Sequence, residues 1–130
     1  MTRSSRPASL AASLLAVWIV LLSVSPASSH AIVLESSPVA DAVLDRAPQQ
    51  VTLRFNSKLE KRFTRITLAA GDRPPAPIAL PDEGAAAPPD RVVIPLAPLA
   101  PGPYVLRYRV LAVDGHITEG ALRFTVGPTR

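Results

Sequence analysis

Apolar and polar residues alternate along much of this chain, with the period of two expected of half-buried strands. "VTLRF" (51–55) sets Val51, Leu53 and Phe55 against Thr52 and Arg54. "FTRITLA" (63–69) opposes Phe63, Arg65 and Thr67 to Thr64, Ile66 and Leu68. "YVLRYRVLAV" (104–113) alternates most clearly, with Tyr104, Leu106, Tyr108 and Val110 on one face and Val105, Arg107 and Arg109 on the other. "ALRFTV" (121–126) places Leu122, Phe124 and Val126 together, "AIVLESS" (31–37) opens the series, and "RVVIPL" (91–96) is a further strand whose Pro95 suits an end or an edge. Breakers separate these runs: "APQQ", "GDRPPAP", "PDEGAAAPPD" and "APLAPGP". Proline lacks the N–H that a sheet ladder needs, so it punctuates strands. No long helix is predicted, and "FNSKLEKRF" (55–63) makes one turn at most. The expected fold is all-β, a Greek-key sandwich or barrel of about seven strands, immunoglobulin- or cupredoxin-like.

One stretch does not alternate. "LAASLLAVWIVLLSV" (10–24) is continuously apolar, follows Arg3 and Arg6, and is succeeded by Pro26 and small residues. A basic start, an apolar middle and a small-residue end describe a secretory signal peptide. Residues 1–29 are therefore read as the signal and 30–130 as one domain. The expected cut falls between Ser29 and His30, because Ala27 and Ser29 supply the small side chains. A cut after Ala27 competes, with Pro26 awkwardly placed, and an uncleaved anchor is a third reading. The apolar run is short for a span of about 20 residues.

Export implies an oxidising setting, yet the chain has no cysteine. Any metal site must therefore use nitrogen and oxygen donors. Without Arg3 and Arg6, 12 basic and 10 acidic residues remain, scattered without a run. Nucleic-acid binding is not expected from such a balance. "RFNSKLEKRFTR" gathers Arg54, Lys58, Lys61, Arg62 and Arg65, and is read as a solvated face. No Gly-x-Ser-x-Gly motif appears, so hydrolytic triads have little support.

Candidate chemistry rests on two histidines. His30 would become the first residue after cleavage and could offer its α-amine and its imidazole to one metal. His116 lies in "AVDGHITEG", two residues from Asp114. Extended, residues two apart share a face; turned at Asp-Gly, they converge at a loop tip. Three nitrogens and one oxygen in a tetragonal plane suit Cu(II), which leads the affinity order of divalent first-row metals. The plainer alternative stays open: a surface histidine, and an aspartate that only shapes a turn.

"HAIVLESSPVADAVLDRAPQQVTLRFNSKLEKRFTRITL" and "YRVLAVDGHITEGALRFTV" resemble the beginning and end of the CopC family of periplasmic copper-binding proteins. The two stretches make up more than half of the expected mature chain. The resemblance implies a seven-stranded Greek-key sandwich or barrel, and a Cu(II) site of an N-terminal His with the Asp and His of an Asp-x-His motif, here His30, Asp114 and His116. It also implies a membrane partner of the CopD type. Two departures stand out. Where some members carry a glutamate after the second strand, this chain has Ser57 in "FNS", and Glu60 does not match the motif. Ser57, Glu60 or a water could complete the coordination. Some members also carry a methionine-rich Cu(I) site, whereas Met1 is the only methionine here, so no soft-ligand site is expected.

The resulting expectation is a monomeric periplasmic carrier or buffer of one Cu(II) per chain, and not an enzyme. A histidine-brace copper oxygenase is one alternative, although Asp114 would fill a position that oxygen chemistry needs open. A metal-free structural sandwich is the other.

Overall fold

The computed structural model describes residues 31–81 and 87–128. The expected signal peptide, residues 1–29, lies outside them, as does His30. Eight strands form in chain order: β1 (Val33–Ser37), β2 (Ala42–Leu44), β3 (Gln50–Phe55), β4 (Arg65–Ala70), β5 (Ala76–Ile78), β6 (Arg91–Pro95), β7 (Gly102–Leu111) and β8 (Ile117–Val126). One 3-10 turn, Lys61–Phe63, precedes β4 and is the single turn anticipated there.

The strands make two sheets, ordered β1-β3-β6 and β2-β8-β7-β4-β5. Successive strands pass repeatedly from one sheet to the other, as a Greek-key sandwich requires. All pairs are antiparallel except β2 with β8. The core lies between the sheets, where the alternation predicted it. Val51, Leu53 and Phe55 of β3 face Leu106, Val110, Leu122 and Phe124 of the other sheet, all buried. Each large side chain so buried contributes about 1.5–3 kcal/mol. Tyr104 stacks on Phe124 at 5.5 Å and donates its hydroxyl to the Ala100 carbonyl at 2.6 Å. Tyr108 meets Phe55 edge-on at 5.7 Å.

Three differences from the predicted pattern have physical causes. β2 and β5 are additional strands of three residues each, too short to show a period. β5 lies within a proline-rich stretch read as a breaker, and Pro77 is tolerated because β5 is an edge strand. β8 starts at Ile117, four residues before the alternating run, because its pairing with β7 continues over ten rungs from Gly102↔Val126 to Leu111↔Ile117. Finally, the basic cluster of residues 54–65 is not one face. Arg54 pairs with Glu35 at 2.9 Å on the three-stranded sheet. Arg65 lies on the five-stranded sheet, and Arg62 covers the Phe63 ring at 4.7 Å.

Candidate metal centre

The two long strands, β7 and β8, are joined through residues 112–116, and the chain turns at the Asp-Gly dipeptide within them. The Gly115 N–H donates to the Ala112 carbonyl at 2.9 Å, and the Ala112 N–H donates to the His116 carbonyl at 2.9 Å. These bonds close a hairpin loop over Val113, Asp114 and Gly115. Gly115 has φ +92°, a conformation that L side chains rarely adopt, so glycine is required at this corner. Of the two arrangements left open by the sequence, the turn is the one adopted.

The turn brings the two candidate donors together. His116 Nδ1 lies 3.2 Å from Asp114 Oδ1, and the same oxygen accepts the His116 backbone N–H at 3.0 Å. That backbone bond, reinforced by the imidazole, holds the Asp114 carboxyl below the usual carboxylate range. Asp114 is thus an ionised oxygen donor at neutral pH, beside an exposed imidazole. It also shapes the turn, as the plainer reading required, so its two possible roles coexist.

The neighbouring segments converge on this end of the sandwich. The Val113 N–H donates to the Lys58 carbonyl at 3.0 Å, and the Glu60 N–H donates to the Leu111 carbonyl at 2.8 Å. Leu59 and Ala112 form a bridge. Two residues before Lys58, Asn56 grips the N-terminal segment. Its Oδ1 accepts the Ile32 N–H at 2.7 Å, and its own N–H donates to the Ile32 carbonyl at 3.0 Å. Ala31 is 1% exposed and belongs to the core. The hairpin loop, the 56–60 segment and the start of the described chain therefore meet at one end. Ser57 lies between the two anchored residues, Asn56 and Lys58.

Asp114 and His116 are legible in the sequence, whereas Asn56, Ala31 and the Lys58 carbonyl are not. Ala31 offered a faint signal, a small apolar residue directly after the expected terminus. Among the described residues, no group of three or more His, Cys, Asp or Glu side chains could hold a metal ion. Asp114 and His116 form a pair rather than a three-donor group. Among the described residues, too, no helix is long and apolar enough to cross a membrane.

The fold and this pair define a two-sheet β-domain with a nitrogen–oxygen donor loop at one end. The CopC domain family model matches residues 33–127, and the chain belongs to the CopC family. Copper resistance protein C of Xanthomonas campestris pv. juglandis is 31% identical over 121 residues, covering 86% of this chain and 94% of that protein. Protein YobA of Escherichia coli strain K12 is 32% identical over 99 residues, covering 75% of this chain and 79% of that protein. The crystal structure of CopC from Methylosinus trichosporium OB3b superposes with a TM-score of 0.68 at 30% identity, covering 78% of this chain and 97% of that one. PcoC, a methionine-rich copper resistance protein from Escherichia coli, superposes at 0.58 with 30% identity, covering 75% and 99%. This chain shares that fold without the methionines, since Met1 is its only one.

Proposed function

We propose that this CopC-family chain is an exported periplasmic protein that binds one Cu(II) and buffers or carries it, without turnover. The observation that carries the proposal is the contact of the Asp114 carboxylate with the His116 imidazole, at the end of the sandwich where Ala31 is anchored. A ligand supplied by the residue before Ala31 would start from that end. In this reading His30 provides its α-amine and imidazole, His116 a second imidazole, and Asp114 an oxygen. Nitrogen and oxygen donors without thiolate or thioether favour Cu(II) over Cu(I). The names of the relatives, copper resistance protein C among them, support copper as the cargo. A CopD-type membrane protein is the proposed partner, and the chain is proposed to act as a monomer.

The 3.2 Å contact between Asp114 and the imidazole favours a second role for the carboxylate. It can orient His116 by accepting from Nδ1, in the manner of carboxylates that sit behind metal-bound histidines. The test of function is a Cu(II) titration of the secreted protein followed by electron paramagnetic resonance. One equivalent should bind with a nitrogen-dominated tetragonal spectrum, and Zn2+ should bind more weakly. A titration that leaves no copper on the protein would leave only a structural sandwich. Ascorbate-driven oxygen consumption by the loaded protein would favour the oxygenase alternative.

A further inference from the structure

The outer face of the five-stranded sheet carries an unbalanced charge. Arg65 stands directly opposite Arg109 in the β4–β7 ladder, and Arg107 occupies the next row, opposite Thr67 and Ala121. Arg123 follows on β8, opposite Val105. All four arginines are exposed. On the five strands of this sheet Glu119 is the single acidic residue, and it pairs with Arg109 at 3.1 Å. Among the described residues neither Arg107 nor Arg123 has an ion pair. Like charges directly across a ladder disfavour a sheet; here Glu119 offsets Arg109, and Arg65 donates to the Arg62 and Thr64 carbonyls, at 3.4 and 3.2 Å.

The basic face continues into the candidate metal centre. Arg65 and Arg109 line a small recess with Phe63 and Ile117, which are 45% and 49% exposed. Ile117 directly follows His116. The Arg109–Glu119 row lies two rungs from the Leu111↔Ile117 pair that closes the ladder, or about 7 Å along the strand. An occupant of the face would therefore reach the donor loop. Exposed guanidinium groups, one aromatic and one aliphatic side chain form a mixture suited to protein recognition.

We propose that this face, centred on Arg65, Arg107 and Arg109 and bordered by Phe63 and Ile117, docks a carboxylate-rich patch of the protein that exchanges metal with this chain. The proposal rests on the metal-carrier reading. A protein that accepts or releases a divalent cation gains from carboxylates around its entrance, and guanidinium groups complement carboxylates in charge and in bidentate geometry. Docking here would bring the two metal centres together while masking the like-charge pair.

The test uses the 15N-labelled metal-free chain and a polyglutamate peptide as probe. Saturable shifts should map to β4, β7, β8, Phe63 and Ile117. Arg107→Gln with Arg109→Gln should weaken the interaction about fivefold, the scale of two exposed charge contacts. Both side chains are exposed, so the variant should fold. Arg46→Gln with Arg73→Gln removes equal charge beyond β2 and β4, and should leave binding within about twofold if position matters more than net charge. His116→Ala should keep the peptide interaction while losing copper. A wild-type chain that docks the peptide but takes no copper would sink the metal reading alone. The docking proposal is overturned if no shifts saturate, if they map elsewhere, or if both double variants weaken binding equally. It is also overturned if the peptide fails while phosphatidylglycerol–phosphatidylcholine vesicles bind in an Arg107- and Arg109-dependent way, since the occupant would then be a lipid surface.

Discussion

Asn56 holds Ile32 by both of its backbone polar groups, with bonds of 2.7 and 3.0 Å. One of the two comes from the Asn56 side chain, so it can be removed alone. Asn56→Ala should lower stability by about 0.5–1.5 kcal/mol. If the N-terminal residue is a ligand, the same change should weaken Cu(II) binding by loosening the segment that presents it. Asn56→Asp keeps an acceptor at the same place and should recover most of both losses. Chemical denaturation and copper titration of the two variants measure the effects. Equal copper affinity in all three proteins would separate the Ile32 clamp from the metal site.

Asp114 can be tested for turn-making and for charge separately. Asp114→Asn retains an oxygen to accept the His116 N–H but removes the negative donor. It should keep the hairpin and weaken Cu(II) binding, whereas Asp114→Ala should also loosen the loop. The pH dependence follows from the depressed carboxyl. A carboxyl held below its ordinary value stabilises the fold above that value, and the contribution is lost as the pH falls through the lower one. Metal-free Asp114→Asn should therefore lose less stability than the parent on acidification below about pH 4. Thermal melts across that range would show no difference if the carboxylate is idle.

Tyr108 crosses the space that a side chain at Gly120 would need. A Cβ built there would lie 2.1 Å from the tyrosine hydroxyl oxygen and 2.4 Å from Cζ. The ring cannot simply swing aside, because it packs edge-on against Phe55. Gly120→Ala should cost about 1–3 kcal/mol. Adding Tyr108→Phe should restore only part of it, since the close Cζ remains. Full recovery by that second change would place the whole clash at the hydroxyl.

Burial also pushes the Tyr108 hydroxyl up in pKa. A raised value means that its contribution is fully present below the ordinary tyrosine range and is lost as the pH rises through the higher value. Stability of the parent should decline above about pH 10, and Tyr108→Phe should flatten that decline. Alkaline denaturation of both proteins gives the comparison.

The terminus provides the sharpest test of the proposed ligands. One alanine added before His30 turns its amine into an amide and destroys the amine–imidazole chelate. Cu(II) affinity should fall at least about tenfold, equivalent to roughly 1.4 kcal/mol, with the melting temperature of the metal-free form unchanged. Intact mass of the secreted parent must first show a chain that begins at His30. Unchanged affinity and spectrum in the extended protein would remove His30 from the site.

Local periodicity carried most of this fold. Val51, Leu53 and Phe55 alternate in the sequence and are buried together in the core. The Asp114–His116 pair was legible for a similar reason, since Asp-Gly turns a chain within a few residues. β2 and β5 were not legible, because three residues cannot display a period, and each is an edge strand paired on one side only. The Asn56–Ile32 clamp was hidden more deeply. It joins a side chain to a backbone group 24 residues away, and no local pattern announces such a bond.

The donor loop stands at the tip of a hairpin with ten paired rungs, and Val113, Asp114 and Gly115 are all exposed. None of the three fills the core. Mutation can therefore sample new donors at positions 113 and 114 while the sandwich below stays intact. Under the proposed metal reading, the preference for a metal would rest on residues that the core does not need, and a lineage could drift between metals without first losing its scaffold.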